Sequence, residues 1–319
     1  SVLEGLPTID RFWTADKHAF DHPLTSPSAL LRLLPLLFEL RRQRYDLLLL
    51  FHHLTTPFGT LKYLLLSGCI GAARSAGLDN GRGWFLDVRV SDSGFGALHE
   101  VDYNLQLAAA AGAALPAEPH LEIALSSSSP LPSQWERLGD GSRRVPWIAL
   151  HVGGGTYSSA RRWSPQAFAE VGRHLSETTG CQLVLIGTDV DREASLAVKK
   201  SLAGRALNLV GKTTVKQTAA ILQRCRLLIS NDSGVVHLAA AVGTPVVAIF
   251  GPSNDRAWGP YPPAEHRVVR VTLACSPCFY RGRGLGTPQG CPTRDCLQLV
   301  TPDMVVRAAE ELLRTPAAA

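Results

Sequence analysis

The chain has 319 residues and a mass of 34.3 kDa, enough for two domains at roughly 100–200 residues each. At 45% hydrophobic and 18% charged, with Gly 28 and Pro 21, it is not a disordered chain, a collagen-like repeat or a small disulfide scaffold. A net charge of +5, spread along the sequence, suits an anionic ligand or anionic membrane surface better than dedicated nucleic-acid binding.

Helices and strands alternate from the start. Ser28–Arg44 predicts a helix, with Ser28 as its cap and a kink at Pro35. Tyr45–Phe51 (YDLLLLF) is a short apolar run that predicts a buried parallel strand. Thr56–Ser67 and His99–Ala114 predict two further helices. Ser126–Ser133 (SSSSPLPS) is too polar and proline-rich to pack and predicts a linker. The expected domains are therefore 1–133 and 134–319. The most apolar stretch, Leu30–Leu40, is interrupted by Arg32, Pro35 and Glu39, so no membrane span of about 18 apolar residues is expected. The chain opens on Ser1 without a signal-peptide pattern, and a reducing cytoplasm is the expected compartment.

The second half punctuates more clearly. Trp147–Val152 predicts a strand and runs into Gly153-Gly154-Gly155. Ser164-Pro165 caps a helix reaching about Thr178. Strands are expected at Leu183–Ile186, Leu227–Ser230 and Val246–Phe250, and helices at Thr213–Arg224, Val235–Val242 and Pro302–Arg314. The alternation implies parallel βαβ units with helices on both faces: an α/β fold of two similar halves with a cleft between them. The last helix, 302–314, is expected to pack back on the amino-terminal domain.

Open parallel sheets bind ligands at the carboxyl ends of their strands, and two loops there have suitable chemistry. His151–Trp163 (HVGGGTYSSARRW) combines glycines that admit close approach, the hydroxyls of Thr156, Ser158 and Ser159, and the cations Arg161 and Arg162. It reads as a phosphate seat or as a glycine turn with a solvated arginine pair. Ser230–His237 (SNDSGVVH) puts Asn231, Asp232 and Ser233 before a helix opened by Gly234, with His237 in its first turns. Asp232 or Ser233 also reads as a plain helix cap, and His237 as a half-buried structural histidine. Gly211-Lys212-Thr213-Thr214 mimics the end of a P-loop, but Ala206 stands where its first glycine is needed. Thr213 or Thr214 is instead a helix cap.

Seven cysteines divide into two groups. Cys69, Cys181 and Cys225 sit singly in apolar contexts and predict reduced, buried thiols. Cys275-x2-Cys278-x12-Cys291-x4-Cys296 has the ligand count and first spacing of a structural zinc site, with disulfides or free thiols as the alternatives. In each case the segment reads as a loop staple.

From Trp147 to Arg314 the sequence resembles glycosyltransferase family 9, the ADP-heptose:lipopolysaccharide heptosyltransferases. The resemblance rests on HVGGG…RRWSPQAFAEVGRHL, LVLIG, LVGKTTVKQTAAIL, LLISNDSGVVHLAAAVGTPVVAIFGPSNDRAWGPY and CSPC…CL. It continues more weakly upstream through YDLLLLF and HEVDYNLQLAAAAG. It implies a GT-B architecture of two Rossmann-like domains. It also implies inverting, metal-independent transfer of a heptose or related sugar from an ADP-sugar to an anionic, lipid-linked acceptor of the lipopolysaccharide-core type. No catalytic cofactor is implied, and a peripheral place at the inner membrane face is. Carried over by motif, Asp232, Ser233, Gly234 and His237 contact the donor, and Thr156 belongs to the phosphate loop. Arg161 stands where the family has a lysine, and Glu193, with Asp191 close behind, is the ribose carboxylate. The family opens with a glycine-aspartate loop that carries the general base. No such segment is found, and Ser1–Trp13 resembles a stretch that follows the first βαβ unit. The expectation is therefore an incomplete amino-terminal domain with its base upstream of Ser1; neither Asp46 nor Asp102 matches that position. A nucleotide-sugar-binding module without catalysis and a nucleotide-sugar epimerase of similar build are the alternatives.

Overall fold

The computed structural model describes residues 2–15, 27–125, 130–139, 145–155 and 158–314. The chain divides into two compact units: Thr8–Ala117 with Gly282–Gly284, and Ser1–Pro7 with Glu118–Arg281 and Leu285–Ala319. The expected boundary at 133/134 thus lies inside the second unit. Residues 126–129 of the expected linker fall outside the described residues, and Ser133 begins a helix, Ser133–Gly139.

The first unit holds a parallel sheet of β1 (Leu47–Leu50), β2 (Arg74–Asp79) and β3 (Val88–Ser91), in that order. The apolar run at 45–51 supplies β1. β2 (RSAGLD) and β3 (VRVS) lack such a run and were not legible as strands. Helix Pro57–Ile70 starts at Thr56, whose hydroxyl accepts the Gly59 amide at 3.0 Å, and stops at Gly71 in the left-handed region (φ 62°).

The second unit is built on six parallel strands: β4 (Trp147–His151), β5 (Gln182–Leu185), β6 (Ala206–Asn208), β7 (Cys225–Asn231), β8 (Val246–Ile249) and β9 (Arg267–Val269). Their order is β6-β5-β4-β7-β8-β9, so the winding reverses between β4 and β7. Both faces are covered, which is why the central strands β4, β7 and β8 are largely apolar without alternation. Ile148 and Leu150 pack with Phe168, Leu175 and Val305 on one face. Ala149 packs with Ile221, Leu222 and Phe250 on the other.

Helix Pro165–Thr179 begins as expected, with Ser164 accepting from the Ala167 amide and Gly180 (φ 68°) closing it. Thr214 caps helix Val215–Leu222 in a reciprocal box with Gln217, in keeping with a capping rather than P-loop role. The last helix, Pro302–Arg314, buries Val305, Ala308, Ala309 and Leu312, a single stripe at helical spacing. That stripe joins the core of the six-stranded sheet. Among the described residues no helix is long and apolar enough to cross a membrane.

Candidate functional site

A doubly wound sheet opens a crevice where its strand order reverses, because the connections on either side leave in opposite directions. Here that point lies between the carboxyl ends of β4 and β7, and both singled-out loops leave from it.

Asn231, the last residue of β7, is fully buried and fixes the β4 loop. Its side-chain amide donates to the carbonyls of Val152 (3.0 Å) and Gly153 (2.8 Å), and its Oδ1 accepts the Trp163 amide at 2.9 Å. One side chain therefore satisfies three backbone groups of a glycine-rich segment that no strand could pair. Gly155 turns the loop in the left-handed region (φ 67°). Arg161 is thereby brought against the end of β7. Its Nη1 donates to Asp232 Oδ2 at 3.1 Å and its Nη2 to the Gly154 carbonyl at 3.3 Å. Arg162 Nη2 donates to the Gly155 carbonyl at 3.0 Å. The same Asp232 oxygen accepts the buried Ser253 hydroxyl at 2.6 Å. Ser253 follows β8, a third strand end, and attention to every strand end of the sheet would have found it.

Ser233 occupies the cap position of helix Gly234–Ala241, yet its side chain makes no capping bond. Its hydroxyl lies 3.1 Å from His151 Nδ1 and 3.3 Å from Ser230 Oγ instead. The amino end of the helix, with its outward amides and positive dipole, stays uncapped by this hydroxyl. His237 lies in the first turn of the same helix, half-buried. His266, buried on the loop before β9, is near enough to His237 for their charges to repel. Burial first, and then that repulsion, push His266 down to about 4, so it is neutral near pH 7.

Asp232, Ser233, Gly234, His237 and Arg161 are thus placed around one strand-end crevice, while Thr156 lies outside the described residues. Glu193 is exposed on the first turn of helix Arg192–Ser201, after β5. Asp191 is buried: its Oδ2 accepts from the Thr188 amide and hydroxyl, each at 3.0 Å, and stands 3.7 Å from His151 Nε2. Burial raises its carboxyl, but His151 and Thr188 outweigh that and bring it to about 2. Of the two acids considered for the ribose, Asp191 is turned inward and Glu193 outward.

The four clustered cysteines do not form the expected zinc site. Among the described residues no group of three or more His, Cys, Asp or Glu is placed to hold a metal ion. Cys296 is buried in the short helix Asp295–Gln298, whereas Cys275, Cys278 and Cys291 are exposed. The Cys296 thiol is near enough to Cys278, Cys291 and Cys275 to interact with them electrostatically, yet it is buried while they face solvent. All seven cysteines are free thiols, and Cys69, expected to be buried, is exposed.

Comparison with known proteins agrees with this architecture. The profile of glycosyltransferase family 9 (heptosyltransferase) matches residues 34–287. Lipopolysaccharide heptosyltransferase 2 of Salmonella typhimurium is 31% identical over 166 residues, covering 50% of this chain and 45% of that protein. The chain spans about half the length of the curated relatives it matches. A family 9 glycosyl transferase from Veillonella parvula superposes with a TM-score of 0.72 at 22% identity, over 98% of this chain and 84% of that one. E. coli heptosyltransferase WaaC with ADP gives 0.62 at 16% identity, over 93% and 81%. The fold is the GT-B fold of these transferases, and the chain belongs to glycosyltransferase family 9.

Proposed function

We propose that the chain serves heptosyl transfer in lipopolysaccharide-core synthesis, and that the crevice between β4 and β7 seats the diphosphate of an ADP-sugar. The observation that carries this reading is the convergence of Arg161, Asp232 and the uncapped amino end of helix Gly234–Ala241 at the reversal of strand order. As the glycosidic bond breaks, negative charge grows on the departing diphosphate. Oriented amides and a fixed guanidinium meet that charge without reorganising, which is the form of electrostatic help that lowers such a barrier. In this reading they carry the charge without a divalent ion, and inversion follows from direct attack by the acceptor hydroxyl. His237 donates to a phosphate oxygen, and Thr156 borders the same loop. Glu193, solvent-facing after β5, holds the ribose hydroxyls.

The acceptor is an anionic lipid-linked saccharide, taken by the amino-terminal unit at the cytoplasmic face of the inner membrane. The net charge of +5 favours that surface. No residue of the chain is assigned as the general base. The test is calorimetry with ADP. Micromolar binding that weakens at least about tenfold in His237→Ala, as loss of one charge-assisted hydrogen bond predicts, supports the reading. An affinity unchanged by His237→Ala and Arg161→Ala together refutes it.

A further inference from the structure

Behind the crevice lies a buried polar chain that the binding reading does not use: Asp191, His151, Ser230 and Ser233, all less than a tenth exposed. Its hydrogens can be counted. The Ser230 hydroxyl donates to the Asn231 carbonyl at 2.7 Å, which uses its one proton. Toward His151 Nδ1, 3.1 Å away, Ser230 Oγ can therefore only accept. At the other edge of the ring, Nε2 faces the Asp191 carboxylate at 3.7 Å, which favours a proton on Nε2. Gly187 leaves room for the acid: a Cβ there would stand 2.9 Å from Asp191 Oδ2, and in ordinary contact, 3.4 Å, with the imidazole Cδ2.

Two proton arrangements remain. With a neutral ring protonated at Nε2, Nδ1 is a bare lone pair, and its donor is the Ser233 hydroxyl at 3.1 Å. With both ring nitrogens protonated, Nδ1 donates to Ser230 and Ser233, and the Ser233 proton is released to point elsewhere. Only the second arrangement lets the hydroxyl at the start of helix Gly234–Ala241 donate to an anion. In the first, oxygen lone pairs face it.

Resting on the diphosphate reading above, we infer that His151 is a positioning residue that couples anion binding at Ser233 to uptake of one proton. The proton comes from solvent and is held at Nδ1, with the imidazolium balanced by Asp191. The neighbouring charges are otherwise paired: Asp232, next to Ser233, already faces Arg161 at 3.1 Å. His237, on the same helix, and His266 beside it are the other histidines that could take up a proton in this site.

The experiment is titration calorimetry of the whole chain with ADP at pH 7.5, in buffers of different ionisation enthalpy. The second phosphate ionisation of such esters falls near 6, so the nucleotide contributes little uptake there. The expected result is a buffer-dependent enthalpy equivalent to a substantial fraction of one proton per ADP, present in both His237→Gln and His266→Gln. It is expected to be abolished in both His151→Gln and Ser233→Ala, which melt cooperatively and bind ADP more weakly than the wild type, so that they are titrated at correspondingly higher ADP concentration. Binding by the wild type without buffer dependence overturns the coupling and leaves the diphosphate site standing. Uptake that survives in Ser233→Ala or vanishes in His237→Gln or His266→Gln also overturns it. Absence of ADP binding by the folded wild type overturns the site and the coupling together.

Discussion

The Arg161 guanidinium reaches from the β4 loop to Asp232 at the end of β7, with Nη1 and Oδ2 3.1 Å apart and both side chains largely buried. The pair sets the charge of the crevice. Asp232 alone would repel a diphosphate; paired with Arg161 and Ser253 it orients a cation instead. Arg161→Ala leaves a buried carboxylate without its cation. ADP affinity is expected to fall by about 1.5–3 kcal/mol, roughly ten- to a hundredfold. Arg161→Lys keeps the charge but not the forked geometry, and should recover only part of the loss. Calorimetry of the three proteins checks both statements, and equal affinities contradict them.

Gly153 is tight for a different reason. A Cβ there would stand 2.0 Å from Asp191 Oδ1 and 2.2 Å from its carboxyl carbon. Gly153→Ala must displace the acid that faces His151. It should cost about 1–3 kcal/mol of stability, the usual penalty of overpacking, and weaken ADP binding. Urea unfolding of the variant measures the first and calorimetry the second. A variant as stable as the parent would show that Asp191 moves freely.

The amino-terminal unit carries its own buried charge cluster. His53 Nδ1 lies 3.0 Å from Asp92 Oδ1 and its Nε2 3.1 Å from Glu100. Burial lowers the ionisation of His53, but hydrogen bonds to Asp92 and then Glu100 outweigh it and raise it to about 9. A histidine raised in the folded state contributes stability in full below its unfolded value, near 6.5, and loses it as pH rises through about 9. Thermal melts from pH 6 to 10 should show that decline, and His53→Phe should flatten it. Breaking the cluster leaves two carboxylates facing each other, so His53→Ala should cost roughly 3–5 kcal/mol. An identical pH slope in the variant would rule out His53 as the source.

Thiol chemistry separates the cysteines. Cys291 is exposed, and hydrogen bonds from the Arg294 amide and the Thr293 hydroxyl stabilise its thiolate and hold its pKa below the usual thiol value. Burial raises Cys181, Cys225 and Cys296, the last to about 11. Limited iodoacetamide labelling of the native chain, read by peptide mass spectrometry, should modify Cys291 first. Cys181 and Cys225 should react only after unfolding. Early labelling of Cys225 would contradict its burial.

Local signals were strong wherever one element carried its own cause. The caps at Ser164 and Thr214 and the apolar runs of β4, β7 and β8 were legible because burial on both faces and helix-end chemistry write themselves into adjacent residues. β2, β3, β6 and β9 were not: they are short and partly polar, and only pairing with neighbours makes them strands. The sequence by itself determined an α/β fold with parallel strands and the segments that meet at the crevice, because the strand-end rule needs only the order of elements. Tertiary structure alone decided that Ser233 turns from its helix toward His151 and that Asp191 faces inward. It likewise decided that Ser253 joins Asp232 and that, of the four clustered thiols, Cys296 is buried while the other three are exposed. Those outcomes depend on distances between residues far apart in the chain, and side-chain spacing along one segment carries no information about what another segment brings beside it.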